Sequence, residues 1–118
     1  MPTHHAIDYV EISARDLAEA KRFYAAAFGW AFTDYGPAYA GIQGERGEQG
    51  GIEERAGHAA PAGGGPLVIL YSDDLEATLA AVEAAGGTVT TPPFGFPGGR
   101  RFHFHDPSGN ELAVWTHA

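Results

Sequence analysis

The feature that most constrains this chain is an internal repeat. Asp16-Leu17 and Asp74-Leu75, about 58 residues apart, each open an alanine-rich stretch with helical spacing. A short apolar segment precedes each stretch, Ile7 to Ser13 in one half and Leu67 to Ser72 in the other. Each stretch ends near a glycine at the same offset, Gly29 and Gly87. Two copies in 118 residues describe a duplicated module rather than a solenoid.

The ends of both helices are legible. Asp16 can accept from first-turn N–H groups, and Glu19 completes a box-like pair. Leu17, Ala20, Phe23, Tyr24, Ala27 and Phe28 recur at helical spacing and form the expected buried stripe. Gly29 can take the left-handed conformation that stops a helix. In the second copy Asp73 and Asp74 compete as caps, Leu75, Leu79 and Val82 carry the stripe, and Gly86-Gly87 ends it.

Strands follow each helix. Trp30 to Asp34, Tyr39 to Gln43 and Gly51 to Glu54 are expected in the first half, with Gly44 to Gly50 as a mobile loop. Thr88 to Thr91, Arg101 to His105 and Glu111 to Trp115 are expected in the second. Asp106-Pro107-Ser108-Gly109-Asn110 joins the last two as a turn. Each half therefore reads β-α-β-β-β. Module one spans about 5–55, a flexible Ala/Gly/Pro-rich linker 56–66, and module two 67–118. The fold class is α+β, with two mixed sheets paired so that they enclose a cleft suited to a small molecule.

Charge and composition narrow the partners. Seven Lys plus Arg against fifteen Asp plus Glu leave a net charge of −8. Without a basic stripe, nucleic acid and anionic membrane surfaces are disfavoured. No apolar run approaches the ~18 residues of a membrane span. Met1-Pro2-Thr3-His4-His5 lacks the basic and apolar regions of a signal peptide. The absence of cysteine removes disulfides and thiol chemistry, and the expected location is cytoplasmic.

Several words in the sequence resemble the vicinal oxygen chelate superfamily, which includes glyoxalase I, bleomycin-resistance proteins and extradiol dioxygenases. They are Ile7-Asp8-Tyr9-Val10-Glu11-Ile12 with Asp16-Leu17, then Phe23-Tyr24 and Phe28-Gly29-Trp30. In the second half they are Ser72-Asp73-Asp74-Leu75, Ala84-Ala85-Gly86-Gly87 and Asp106-Pro107-Ser108-Gly109-Asn110-Glu111-Leu112. The resemblance is to the small glyoxalase-like branch. It implies paired βαβββ modules around a cleft, usually in a homodimer.

In metal-dependent members a divalent ion in the cleft acts as a Lewis acid, held by side chains of the first and last strands of the modules. The corresponding positions here are Tyr9, Leu67, Ala113 and, with one residue of slack, Glu53 or Glu54. Leu and Ala cannot ligate, and neutral Tyr is a poor ligand, so no metal and no cofactor are expected. A second arrangement, His103 and His105 with Glu53 or Glu11, remains conceivable.

Strand alternation brings Ile7 and Glu11 into the cleft with Tyr9, and Glu111 and Trp115 with Ala113, while the resemblance implies Arg101 and His103 as substrate-contacting positions, with His105 facing the other way. Glu11 and His103 form the expected acid–base pair. Arg101 can orient a carboxylate or phosphate oxygen, unless it is mere surface charge beside Arg100. Tyr9, Trp30, Trp115, Phe94 and Phe96 offer aromatic walls. Phe94-Gly95-Phe96-Pro97-Gly98-Gly99 reads as a loop able to close over a site. The leading expectation is a metal-free homodimer that binds a small aromatic or cationic molecule. The alternative is a lactoylglutathione lyase-like lyase or isomerase.

Overall fold

The computed structural model describes residues 3–59 and 65–117. Module one contains β1 (Val10–Ala14), α1 (Leu17–Phe28), β2 (Phe32–Asp34), β3 (Tyr39–Gly44) and β4 (Gly47–Glu54). Module two contains β5 (Val68–Tyr71), α2 (Leu75–Ala84), β6 (Thr88–Phe96), β7 (Gly99–His105) and β8 (Glu111–His117). The first sheet has the order β1-β4-β3-β2 and the second β5-β8-β7-β6. In each, the first strand runs parallel to the last and the remaining pairs are antiparallel. This is the α+β duplication expected from the repeat. Residues 60–64 of the expected linker lie outside the described residues.

Local chemistry sets the helix ends. The Asp16 carboxylate accepts from Glu19 N at 3.1 Å, and Asp74 does the same for Ala77 N at 3.1 Å. Asp74 therefore caps α2 rather than Asp73, and Ser72 Oγ accepts from Asp74 N at 3.0 Å to fix the chain there. At the start of α1, Leu17 N–H also donates to Glu54 at 2.9 Å, which sets a carboxylate at the positive end of the helix. Gly29, at φ 71°, closes α1 as expected.

Two loop expectations are corrected. Gly44 to Gly50 is not a loop: β3 and β4 form a tight hairpin in which Gly44 pairs with Gly47. Nor is Phe94 to Gly99 a lid. β6 runs on to Phe96 and pairs Phe94 with Arg101 and Phe96 with Gly99, which leaves only Pro97-Gly98 as the turn. The expected strand Thr88 to Thr91 thus continues through Pro92 and Pro93, which donate no N–H, and the register shift between Thr91 and Phe94 absorbs them. The first strand begins at Val10, and Ile7 is exposed.

Both sheets give their helix-side faces to one core. Ile12, Ala40, Ile42 and Ile52 from the first sheet join Leu17, Phe23 and Tyr24 of α1, Val82 of α2, and Phe102, Phe104, Leu112 and Val114 of the second. Burying an aliphatic or phenylalanine side chain in this set contributes ~1.5–3 kcal/mol. Phe23 of α1 reaches Phe104 of β7, with ring centroids 6.1 Å apart. A Cβ at Gly87 would lie 2.9 Å from the Phe23 ring, so that glycine lets the modules approach.

A polar clasp locks the same contact. Tyr24 Oη donates to Asp106 Oδ2 at 2.7 Å, and Asp106 Oδ1 accepts from Ser108 N and Asn110 N at 2.9 Å each. Asn110 Nδ2 donates to Ser13 O at 2.8 Å, while Arg15 donates to Ser108 Oγ and Pro107 O. The Phe-Tyr and Asp-Pro-Ser-Gly-Asn words thus meet across the modules, and their work is structural. Burial, then the Asp106 charge and hydrogen bond, hold the Tyr24 hydroxyl well above the ordinary tyrosine pKa.

Candidate functional site

With one face of each sheet in the core, the chemistry collects on the opposite, free faces. On the first sheet, alternation along β1 turns Ile12 and Ala14 inward and Glu11 outward, and Tyr9 lies beside it just before the strand. Tyr9 Oη lies 2.6 Å from Tyr39 Oη and donates to Glu48 at 3.0 Å. Tyr35 donates to the other oxygen of Glu48 at 2.7 Å, and Tyr39 Oη lies 3.0 Å from Glu11, so its single hydrogen is shared between Tyr9 and Glu11. The result is a chain of three phenols strung between two carboxylates.

Two details of the backbone build this network. Ile42 pairs with Gly50 but Gln43 pairs with Glu48, which leaves Gln49 as an extra residue in β4. That bulge reverses the alternation and brings Glu48 onto the free face. Gly41 and Gly51 face each other beneath it. A Cβ on Gly51 would lie 2.1 Å from Tyr39 Oη and 2.6 Å from Tyr9 Oη; one on Gly41 would lie 1.9 Å from Glu48 Oε1.

All three hydroxyls hold their protons more tightly than an ordinary tyrosine. For Tyr39 the causes are burial, then the bonds with Tyr9 and Glu11. For Tyr35 the bond to Glu48 leads. For Tyr9 the Tyr39 bond pulls downward, but burial and Glu48 together outweigh it.

The second free face has the opposite character. Arg101 and His103 alternate with the buried Phe102 and Phe104 on β7. Arg101 pairs with Trp115 and His103 with Ala113, so all four share that face. The shift in β6 turns Phe94 and Phe96 toward Arg101, whose guanidinium carbon lies 5.4 and 5.8 Å from their ring centroids. His103 Nδ1 lies 2.9 Å from Glu111 Oε2. A carboxylate only accepts, so Nδ1 carries the hydrogen and Nε2 is left for another partner. That Nε2 and the Arg101 Nε are buried with no hydrogen-bond partner.

Five of the seven residues expected at a site, Arg101, His103, Phe94, Phe96 and Trp115, therefore gather on one face. Tyr9 and Glu11 sit on the other sheet. The expected Glu11–His103 pair is not formed: Glu11 accepts from Tyr39, and His103 is held by Glu111. Their separation follows because both sheets give their helix-side faces to the shared core, which leaves Glu11 and His103 on the free faces of different sheets. His105 also lies on the His103 face, opposite Glu111. Arg100 is engaged by Glu76 at 2.7 and 3.1 Å, so Arg101, not its neighbour, is the uncommitted guanidinium.

Tyr35, Tyr39 and Glu48 were missed because a bulge and a hairpin bring them together. A 290 Å³ groove lies between β1 and β5, lined by Val10, Ile12, Ile42, Val68 and Leu70 with Asp8, Tyr9 and Gln49 at its polar parts.

Residues 6–114 match the model of the Glyoxalase/Bleomycin resistance protein/Dioxygenase superfamily. The chain belongs to this superfamily. A glyoxylase-like domain-containing protein of Didymella fabae is 32% identical, over 98% of this chain and 97% of its own length. Protein CFP32 of Mycobacterium bovis is 30% identical over 92% of this chain, which spans only 44% of that longer relative. The crystal structure of a glyoxalase-related enzyme from Fulvimarina pelagi shares the fold with a TM-score of 0.79. It is 20% identical, and the match covers 96% of this chain and 88% of that one.

The superfamily's metal positions can now be placed by register. Ser13 faces Glu53 as Tyr71 faces Trp115, so Gly51 in the first sheet holds the place of Ala113 in the second. The slack that had admitted Glu53 or Glu54 closes on a glycine. Gly51, Leu67 and Ala113 have no donor atom in their side chains, and the Tyr9 hydroxyl is committed to Tyr39 and Glu48. Glu53 is paired with Arg55, and Glu54 with the start of α1. Among the described residues no group of three or more His, Asp or Glu converges to hold an ion. The residues present do not fit the family's metal.

Proposed function

We propose that this superfamily member binds a small organic molecule against the free face of its second sheet, without the family's usual metal. The observation that carries the reading is the convergence of Arg101, His103, Phe94, Phe96 and Trp115 on that face, with two buried nitrogens lacking partners. Aromatic walls with a few placed polar groups are the usual make-up of a small-molecule site. The donor-free positions Gly51, Leu67 and Ala113 support the metal-free part.

We also infer a homodimer. Each chain leaves one acidic sheet face, with Glu11 and Glu48, and one carrying Arg101 and His103. A second copy that set its acidic face against the Arg101 face would enclose a cleft between two sheets. The lack of cysteine is consistent with a cytoplasmic setting.

A second reading has its own observation. With Nδ1 held by Glu111, His103 presents Nε2 as a base, as a glyoxalase-like isomerase or lyase would need.

The test combines elemental mass spectrometry with thermal unfolding. Protein exposed to nickel, zinc, manganese and iron(II) and then dialysed should retain no stoichiometric metal. One ion per chain would overturn the metal-free reading. Aromatic small molecules should raise the melting temperature equally with and without chelator, and by less in Trp115→Ala. Turnover of a hemithioacetal, abolished in His103→Ala, would favour the second reading.

A further inference from the structure

We propose that the ligand of this face is a monoanion, an aromatic carboxylate, received by Arg101 with His103 beside it. The inference rests on the small-molecule reading above and adds the ligand's charge.

Arg101 differs from the other arginines. Arg100 and Arg55 are paired with Glu76 and Glu53, and Arg15 donates to the Pro107 carbonyl. Arg22 and Arg46 are exposed to water. Arg101 has no ion pair among the described residues, and its Nε is buried and unmet. Arg101 is the half-buried arginine among exposed ones, and in a chain with net charge −8 a half-buried guanidinium without a carboxylate is an unusual reserve of positive charge. Two residues along the same strand face, the His103 side chain is only 13% exposed, and its Nε2 is also unmet.

The chemistry of these atoms selects the ligand. A guanidinium edge, Nε with one terminal nitrogen, matches the two oxygens of a carboxylate. Within one chain any charge on His103 is already countered by Glu111, and the carboxylates of the acidic face, Glu11 and Glu48, already accept from tyrosine hydroxyls, so the one charge of Arg101 favours a monoanion over a phosphate dianion. His103 Nε2 completes the polar floor beside it. Phe94, Phe96 and Trp115 provide walls for an aromatic body. Phe94 is 37% exposed at the solvent boundary, and its ring centroid lies 5.4 Å from the Arg101 guanidinium carbon and 5.9 Å from the His103 ring.

Three probes of one shape and different charge decide this: 2-naphthoate, 2-naphthamide and 2-naphthylmethylammonium. Each is titrated into the full chain and followed by Trp115 fluorescence and by nitrogen-15 NMR of His103. Naphthoate should bind about tenfold or more tighter than the amide, the scale of one charged hydrogen bond. Arg101→Gln should abolish that preference, Arg101→Lys should retain part of it, and Glu76→Gln should leave it unchanged.

Equal binding of acid and amide, or preference for the ammonium, would overturn the proposal while leaving the small-molecule reading in place. Binding by none of the three at millimolar concentration would overturn both. Should Arg101→Gln fail to fold, the probe series on the native chain still decides.

Discussion

The two sheets are copies of one module, yet their free faces have gone opposite ways. At matched positions the first carries Gly51 where the second carries Ala113, and Glu11 where the second carries Ile69. The first face satisfies itself: three phenols and two carboxylates bond to one another over a floor of glycine. The second is left unfinished, with an uncommitted guanidinium and an imidazole nitrogen without a partner. A duplicated backbone fixes where side chains stand but not what they do there. The face whose polar groups lack partners is the one with capacity left for a ligand.

The comparison assumes that both sheets are held on one core, and the harshest test breaks that hold. Tyr24→Phe removes the buried bond to the Asp106 carboxylate and should cost about 1.5–3 kcal/mol. It would be read as a lower urea midpoint at constant slope. A change below half a kilocalorie would mean that the clasp is incidental to the pairing.

The next test addresses the matched positions directly. Gly51→Ala drives a methyl into the Tyr9 and Tyr39 hydroxyls, which must swing away, at a cost of about 1–3 kcal/mol. Ala113→Gly, at the equivalent place, disturbs no hydroxyl network and should cost about 0.5–1 kcal/mol of backbone entropy plus about 0.8 kcal/mol for its one buried methyl. If the two changes cost the same, the first face does not depend on its glycine floor.

The smallest effect is alkaline. Tyr9, Tyr35 and Tyr39, like the buried Tyr24, have pKa values above the ordinary 10.0 in the folded chain, so the network's own share is read as the difference between native protein and Tyr39→Phe. Above pH 10 the unfolded chain therefore ionises first, and stability declines as pH rises toward the folded values. Below pH 10 their contribution is fully present. Tyr39→Phe should flatten this decline, and tyrosinate absorbance of the native protein should develop late. An ordinary tyrosine titration in the folded protein would show that the network is not formed in solution.

The repeat, the two capping aspartates and the apolar stripes were plain in the sequence because caps and periodicities are local. The Arg101 face was partly legible for the same reason: Arg101 and His103 share a face by alternation alone. Glu48 was not, because the bulge at Gln49 reverses the count on which alternation depends. The strand through Pro92 to Phe96 was hidden by residues that ordinarily end strands.

The sequence by itself determined the duplicated α+β module, the family words and the lack of metal donors at Leu67 and Ala113, since each depends on residue identity and short spacing. Tertiary structure decided the partners. It gave His103 to Glu111 rather than Glu11, tied Tyr24 to Asp106 across the modules, and left Arg101 uncommitted where Arg100 is paired. Those choices are made by which faces of two sheets are buried together, and no single strand carries that information.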